Sequence, residues 1–204
     1  MLIRQAASTP TASRKLDSVQ LRGRSAGFNL IELMTVITVG AVLIGIGTSS
    51  YKYVTNSNRV STEVNGLLGD LMVARSEAIR QSYNVYVCPY TTTSGAPSGC
   101  ATSSNWQGGW MVFADVNASG TYDSGDVLLR VQQPFSSTDT FQSDQSVQFV
   151  EFNSEGFAVG LPTTKGHVTI TLHTNPTNDQ WTRCLQVGTY GALTTERKST
   201  GDCT

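Results

Sequence analysis

The sequence contains few charged residues and lacks the usual arrangements of catalytic or metal-binding side chains. Only 14% of its 204 residues are Asp, Glu, Lys or Arg. This composition, rich in Thr, Ser and Gly, favours strands and turns over a soluble helical bundle. No two cysteines form a C-x-x-C pair, and the two histidines lie far from every cysteine, so a zinc site is not indicated. No residues suggest a nucleophilic triad, and we therefore predict neither enzymatic activity nor a cofactor.

One long apolar segment, from Phe28 to Gly47, carries a single charge at Glu32. Twenty residues are enough for a helix to cross the roughly 30 Å hydrocarbon core of a membrane. A carboxylate within hydrocarbon costs roughly 2.5 to 3.5 kcal/mol on insertion scales. Glu32 should therefore be present for a partner or a reaction.

The charge differs between the two sides of this segment. Five basic residues and one acidic residue precede Gly27, a net charge of +4, whereas nine basic and fourteen acidic residues follow it, a net charge of −5. A positive flank places the amino terminus in the cytoplasm, so the body should face the periplasm or the exterior. A secretory signal would have its small-residue cleavage site after the apolar core, but Ala26 and Gly27 precede it. Removal of this leader would leave the apolar helix on the mature protein.

The pattern beyond Gly47 predicts a helix to about Ser82 and then antiparallel strands. Apolar residues in the helix recur every three or four positions, at Val60, Val64, Leu67, Leu68, Leu71, Met72, Val73, Ala78 and Ile79. The predicted polar complement is Arg59, Glu63, Asp70, Arg75, Glu77 and Arg80. We expect the apolar stripe to pack against a sheet.

Alternating residues separated by turn clusters predict six strands. They are Asn84 to Pro89, Gly109 to Asp115, Val127 to Gln133, Val147 to Phe152, Val168 to His173 and Arg183 to Val187. Each should have one buried face and one solvated face, with Val127, Leu129 and Val131 sharing a face and with His167 and His173 exposed. The fold class is α+β, a long helix laid across an antiparallel sheet.

Four cysteines, Cys88, Cys100, Cys184 and Cys203, allow three pairings. In an oxidising compartment we favour the sequential pairing, Cys88 with Cys100 and Cys184 with Cys203, which closes two short loops. Buried free thiols are the alternative.

The stretch Gly27-Phe28-Asn29-Leu30-Ile31-Glu32-Leu33 resembles the class III leader and helix start of type IV pilins and pseudopilins. The resemblance implies that a membrane prepilin peptidase cuts after Gly27 and that the new amino terminus, Phe28, is methylated. It also implies that Glu32 pairs with the amino terminus of a neighbouring subunit during assembly. The expected division is a leader over 1–27, a pilin helix over 28–82 that spans the membrane with 28–47, and a β head over 83–204. An anchored enzyme with an incidental glutamate is the alternative.

A second resemblance lies in the body. The segments 109–117, 126–130 and 152–156, with Gly120 and Asp123, and Arg183-Cys184-Leu185 with the loop to Cys203, resemble the GspH/FimT domain. This implies a minor type IV pilin of the FimU/FimT kind, held in the inner membrane by a single pass and later carried to the cell surface in the pilus. Its implied partners are other minor and major pilins, the prepilin peptidase and the inner-membrane assembly platform. Its implied roles are tip priming and pilus biogenesis, supporting adhesion, twitching motility or DNA uptake. A minor pseudopilin of type II secretion and a DNA-binding competence pilin are the alternatives.

One acidic segment has the oxygen-ligand spacing of a calcium loop, with Gly120 at the sixth position; its ligands would be Asp115, Asn117, Ser119, Asp123 and Asp126. The twelfth position carries Asp126 in place of the longer glutamate, and the segment lies between strands. A long β-turn uses the same residue types, and we favour the turn.

DNA binding is a further hypothesis. Some relatives capture DNA through a Gly-Arg-x-Arg motif in the terminal loop, but the matching stretch here, 191–194, reads Gly-Ala-Leu-Thr and lacks both arginines. A body with a net charge of −5 repels DNA broadly. Arg183, Arg197 and Lys198 form the candidate DNA-binding patch, and an ordinary solvated basic loop is the favoured interpretation.

Overall fold

The computed structural model describes residues 27–162, 166–198 and 203, with side chains left out of the description at 47–50. The predicted leader therefore lies outside the described residues, apart from Gly27. Within these residues one α-helix, α1, runs from Leu30 to Gln81. Two compact units, Met1–Ile46 and Gly47–Thr204, divide the chain, and α1 contributes to both.

Ten strands follow the helix, all within the second unit. They are β1 (Asn84–Thr93), β2 (Ala96–Cys100), β3 (Trp110–Asp115), β4 (Val127–Gln132), β5 (Thr140–Ser143), β6 (Val150–Phe152), β7 (Ala158–Val159), β8 (His167–His173), β9 (Arg183–Gly188) and β10 (Leu193–Arg197). A 3₁₀ turn, Asp144–Ser146, follows β5. All six predicted strands are present with shifted ends, while β2, β5, β7 and β10 were not predicted.

The strands form two antiparallel sheets rather than the single sheet predicted. The first has the order β4-β3-β1-β6-β7, with β2 paired to the far end of β1, and the second has the order β10-β9-β8-β5. One buried apolar cluster joins side chains of α1 to both sheets, including Leu67, Val112 and Ile170. The α+β class is therefore confirmed, and the head is built around this shared core.

The buried stripe of α1 is narrower than predicted. It consists of Val60, Val64, Leu67, Leu71, Ala74 and Ala78, at alternating spacings of four and three residues. Met72 and Ile79, which were predicted to lie in the stripe, are 52% and 50% exposed. Each follows a buried residue by one position, which is a rotation of about 100° around the helix.

Strand β4 departs from the predicted alternation because its pairing with β3 shifts between Val112 and Phe113. Leu129 is the extra residue at the shift and packs against the main core, whereas Val131 packs against a second cluster on the opposite face of the sheet. Val127 is 46% exposed. The prediction that these three residues share a face is therefore wrong, since an extra residue in one strand reverses the orientation of those after it.

Strand β8 is buried on both faces. Val168, Ile170 and Leu172 lie in the core, but Thr169 and Thr171 on the other face are only 1% and 6% exposed. The prediction that one face of β8 is solvated was therefore wrong. β8 is an inner strand of its sheet and pairs with both β9 and β5.

Candidate functional site

The amino-terminal segment places the predicted processing and assembly residues at the start of α1. Gly27, Phe28 and Asn29 precede the helix, and the Asn29 carbonyl accepts hydrogen bonds from the backbone N–H groups of Glu32 and Leu33 at 3.0 and 3.1 Å. Phe28 is 79% exposed, and Glu32 lies exposed in the first helical turn. A carboxylate is favourable there because the helix dipole is positive at this end.

The apolar side chains of the first unit are exposed. Ile31, Val36, Leu43 and Ile46 have exposed fractions between 60% and 65%, and the other large apolar residues of this segment resemble them. The helix is long and apolar enough to cross a membrane. Its few hydroxyl groups are satisfied locally, since the Thr35 hydroxyl donates to the Glu32 carbonyl at 2.8 Å. Such bonds lower the cost of a polar side chain in lipid.

The head contains both disulfides of the favoured pairing, Cys88–Cys100 and Cys184–Cys203. The first pins β2 to β1 beside a small buried cluster that includes Met111 and Phe113. The second ties the carboxyl terminus to β9. Disulfides of this kind form and persist mainly in oxidising compartments.

The predicted calcium loop forms a closed network of hydrogen bonds. The Asp115 carboxylate accepts backbone N–H groups of Ser119 and Gly120 at 3.0 and 2.8 Å. The Asn117 side-chain amide donates to both oxygens of Asp123 at 3.1 and 2.9 Å. Asp126 accepts from the backbone N–H groups of Val116 and Asp123. These are the bonds of a long β-turn, and within 27–162, 166–198 and 203 no group of three His, Cys, Asp or Glu residues is arranged to hold a metal.

The three basic residues of the DNA hypothesis differ in their surroundings. Arg183 is only 6% exposed, and its Nη1 donates to the carbonyl oxygens of Gln180 and Thr182 at 2.8 and 3.1 Å. Arg197 is exposed on β10, directly across from Arg183 in the strand register. Lys198 is exposed and forms a salt bridge with Asp179 at 3.2 Å. The structure thus brings Arg183 and Arg197 together but buries the first.

The two histidines lie at the ends of β8 and are partly buried, not fully exposed as predicted. The Nδ1 atom of His173 lies 3.3 Å from the Thr182 hydroxyl. Burial, and secondly the charge of Lys198, lower the pKa of His173.

Two acidic residues of α1 were predicted to face solvent but are buried. Asp70 is 7% exposed; it accepts the Trp110 indole N–H at 2.8 Å and pairs with Arg130 at 3.1 Å. Glu63, one heptad earlier, is 8% exposed; one oxygen accepts the Ser137 hydroxyl at 3.3 Å and the other has no partner. A buried tryptophan usually finds an acceptor for its indole N–H, and this is the signal that could have indicated Asp70.

Arg59 and Asp139 complete the surroundings of Glu63. Arg59 Nη2 lies 2.8 Å from a carboxylate oxygen of Asp139, whose side chain is 2% exposed. Burial, followed by the negative charge of Asp139, raises the pKa of Glu63. This cluster holds two carboxylates and one guanidinium, so it carries a net negative charge when both acids are ionised.

Together, the exposed apolar helix and the disulfide-bonded antiparallel head define a pilin-like fold. Residues 63–191 match the family model of the type II transport protein GspH, and the chain belongs to this family.

Two crystal structures of the type IV minor pilin FimU of Pseudomonas aeruginosa have a similar fold. In one crystal form the TM-score is 0.55 at 23% identity, covering 72% of this chain and 95% of FimU. In the other it is 0.51 at 23% identity, covering 72% of this chain and 98% of FimU. No curated protein sequence matches the chain.

Proposed function

We propose that the protein is a minor type IV pilin that works by assembly and not by catalysis. The mature chain begins at Phe28, is held in the inner membrane by Phe28 to Gly47, and presents its head to the periplasm. It then enters the pilus, where it contributes with other minor pilins to the priming or tip complex. Such a complex supports pilus biogenesis and, through it, adhesion, twitching motility or DNA uptake.

The observation that carries this proposal is the exposure of the apolar half of α1, directly behind Gly27 and Phe28. Seventeen residues, Leu30–Ile46, begin the helix with large side chains open on every side. Only lipid or other protein chains can cover such a surface, because exposed apolar areas of this size are rare in soluble monomers. A filament core of packed helices provides the second environment, after the membrane.

Glu32 gives this segment a specific partner. Within the ranges described, Glu32 forms no salt bridge. A membrane carboxylate is stabilised by an opposite charge. The new amino terminus created at Phe28 of a neighbouring subunit supplies a positive charge in the same apolar layer. Close helix packing is helped by small residues in this segment, including Gly40, Ala41 and Gly45.

Mass spectrometry of the protein purified from its native cells tests the proposal. We expect a methylated Phe28 as the first residue and a mass that is four hydrogens below that of the fully reduced chain. The four hydrogens correspond to two disulfides. A chain from piliated cells that still begins at Met1 would overturn the proposal.

A minor pseudopilin of type II secretion is the second candidate, and the description of the matched family favours it. The two functions predict different losses in a deletion strain. A pilin deletion reduces surface pili that can be recovered by shearing, whereas a pseudopilin deletion leaves pili intact and causes secreted enzymes to accumulate in the periplasm. The second pattern would replace the proposed function.

A further inference from the structure

Two cavities on the head lie along the second half of α1 and the edge strand β10. One cavity of about 390 Å³ is lined by Met72, Arg75, Ser76, Ile79, Gly191 and Leu193. A second cavity of about 180 Å³ is lined by Ser61, Val64, Asn65, Arg183, Thr195, Glu196 and Arg197. We refer to these two sets of residues together as the α1–β10 cleft.

The smaller cavity is cationic. Arg183 is 94% buried, since its exposed fraction is 6%, and it forms no salt bridge with a carboxylate in the described part of the chain. Its cross-strand neighbour is Arg197. Like charges directly opposite each other on adjacent strands are unfavourable. Burial, followed by the charge of Arg197, lowers the pKa of Arg183. A carboxylate in this cavity would relieve both effects, with polar side chains of Asn65 and Thr195 at its walls.

The larger cavity is mostly apolar. Met72 and Ile79 contribute exposed side chains from α1, and Leu193 lies partly buried across from them. Arg75 also lines this cavity, and its Nη1 donates to the carbonyl of Gly191 at 2.8 Å. Gly191 has a φ of 74°, and a Cβ there would collide first with the backbone carbonyl oxygen of Gly156 and then with Arg75, at 2.8 Å from Nε. The backbone and the guanidinium therefore pack closely and leave the space above them to an aliphatic side chain.

The strand β10 connects the two cavities. It is an edge of the second sheet, and an edge strand can accept a further strand through its outward backbone groups. Leu193 lines the apolar cavity and Thr195 lines the cationic one. They are two residues apart, which is about 7 Å along a strand. An extended chain beside β10 would reach both cavities with side chains two to four positions apart.

The charge distribution indicates the chemistry of the occupant. Three arginines, Arg75, Arg183 and Arg197, line the cleft against one acid, Glu196, although the chain after Gly27 has a net charge of −5. Complementary charge gives specificity to a protein interface. We call the larger cavity the Met72 cavity and the smaller one the Arg183 cavity. A nucleic acid would pair with the arginines but offers no aliphatic group for the Met72 cavity. An acidic and apolar peptide segment satisfies both.

We propose that the α1–β10 cleft docks an extended segment of a partner protein, with an Asp or Glu side chain in the Arg183 cavity and an aliphatic side chain in the Met72 cavity. This rests on the proposed function, since a protein that works by assembly requires such partners. The docking proposal adds that the partner binds at the face of the head formed by α1 and β10.

Site-specific photocrosslinking in the native cells tests the docking. A photoreactive amino acid replaces Thr195 in the full chain, and Ser124 in the distant acidic loop serves as the control position. We expect Thr195 to crosslink to one segment of a partner protein, mapped by mass spectrometry, that has an acidic residue within four positions of an aliphatic one. The Ser124 position should not capture this segment.

Charge reversal then tests the chemistry. Arg197→Glu should reduce the crosslink yield at least about fivefold, and Lys198→Glu, the adjacent exposed cation, should leave it within about twofold. Reversing the mapped acidic residue to Arg should restore crosslinking to the Arg197→Glu chain. Retained Trp fluorescence and two intact disulfides show that the variants are folded.

Three outcomes would overturn the inference. They are a crosslink at Thr195 that is insensitive to Arg197→Glu, the absence of any crosslink, and attachment of nucleic acid in place of protein. The sheared pilus fraction of the same cells separates the two proposals. If the protein is present there without a Thr195 crosslink, only the docking fails; if it is absent there and pili are normal, the assembly role fails as well.

Discussion

The two halves of α1 use the same residue types for opposite purposes. In the first half Leu43 and Ile44 are 64% and 69% exposed, whereas in the second half Leu67 and Leu71 are fully buried against the sheets. Burying a leucine side chain stabilises a fold by roughly 1.5 to 3 kcal/mol. The second half obtains this energy within its own chain, and the first half must obtain it from lipid or from other subunits.

The acids of the two halves differ in the same way. In the second half Asp70 has two partners within the head, Trp110 and Arg130. In the first half Glu32 has no ion-pair partner in the described part of its own chain. The acid of the second half has its partners within its own chain, whereas under the proposed function Glu32 gains its partner on assembly.

The largest expected effect comes from Glu32→Ala. Removing this carboxylate should lower the amount of protein in sheared pili at least about tenfold, the equivalent of ~1.4 kcal/mol, while the head stays folded. Immunoblots of the sheared and membrane fractions measure the ratio. Glu155→Ala, at an exposed glutamate of the head, is the matched control and should assemble normally. Normal assembly of the Glu32 variant would contradict the pairing role.

Truncating one leucine in each half of α1 compares how much the two halves contribute to the stability of the head. Leu71→Ala should destabilise the head by about 2 to 5 kcal/mol, the cost of a buried leucine and its cavity. Leu43→Ala should change the stability of the head by less than about 0.5 kcal/mol. Urea unfolding of the detergent-solubilised chain, followed by Trp fluorescence, measures both, since all three tryptophans lie in the head. Equal losses would mean that the first half also packs within its own chain.

Asp70→Ala should have an intermediate effect. It leaves the buried Trp110 indole N–H without its acceptor and removes the partner of Arg130, at a cost of about 1 to 3 kcal/mol. The control is Asp179→Ala, which breaks the salt bridge to Lys198 at a side chain that is 66% exposed. Exposed pairs contribute little, so we expect less than about 1 kcal/mol there. The same urea experiment compares the two variants, and similar losses would show that the Asp70 pair is not structurally important.

The smallest effect should come from Glu63→Gln, and it should be stabilising at neutral pH. Because burial and Asp139 raise the pKa of Glu63, the folded state holds this proton more tightly than the unfolded state does. Its contribution to stability is fully present below the ordinary pKa of a glutamate and is lost as the pH rises through the raised pKa of the folded state.

The glutamine variant does not lose this contribution, so we expect a gain on the order of 0.5 kcal/mol at pH 7. The gain should disappear near pH 4. Unfolding curves measured from pH 4 to pH 8 test the sign, and a variant that is less stable at pH 7 would contradict it.

Patterns of polar and apolar residues predicted much of the fold. The six strongest strands and the α1 boundaries follow from periodicity, because a buried face imposes a regular spacing on the sequence. The prediction from periodicity was wrong where the pairing of β3 with β4 is irregular. A one-residue shift opposite Val112 turned Leu129 and Val131 to opposite faces, and no local signal marks that shift. The edge strand β10 was missed because an edge strand has little burial to impose alternation.

Some residues of the candidate sites could be recognised from the sequence, and others only from the structure. Glu32 was recognisable because a lone carboxylate in a long apolar run is costly at any position in the fold. Gly27 and Phe28 were named from the resemblance to the leader of type IV pilins, and their roles stay predictions. Arg183 was named from the sequence as a candidate DNA contact, but its burial beside Arg197 could not be predicted, since β9 and β10 pair only in the folded head.

By itself, the sequence determined that this chain has an apolar helix needing an environment outside its own head, because length, hydropathy and one misplaced charge are properties of the chain alone. Only the tertiary structure decided which face of the head is cationic and apolar. The arginines of the α1–β10 cleft come from α1, β9 and β10. Their electrostatic effect depends on the distances between them, and those distances are set by packing.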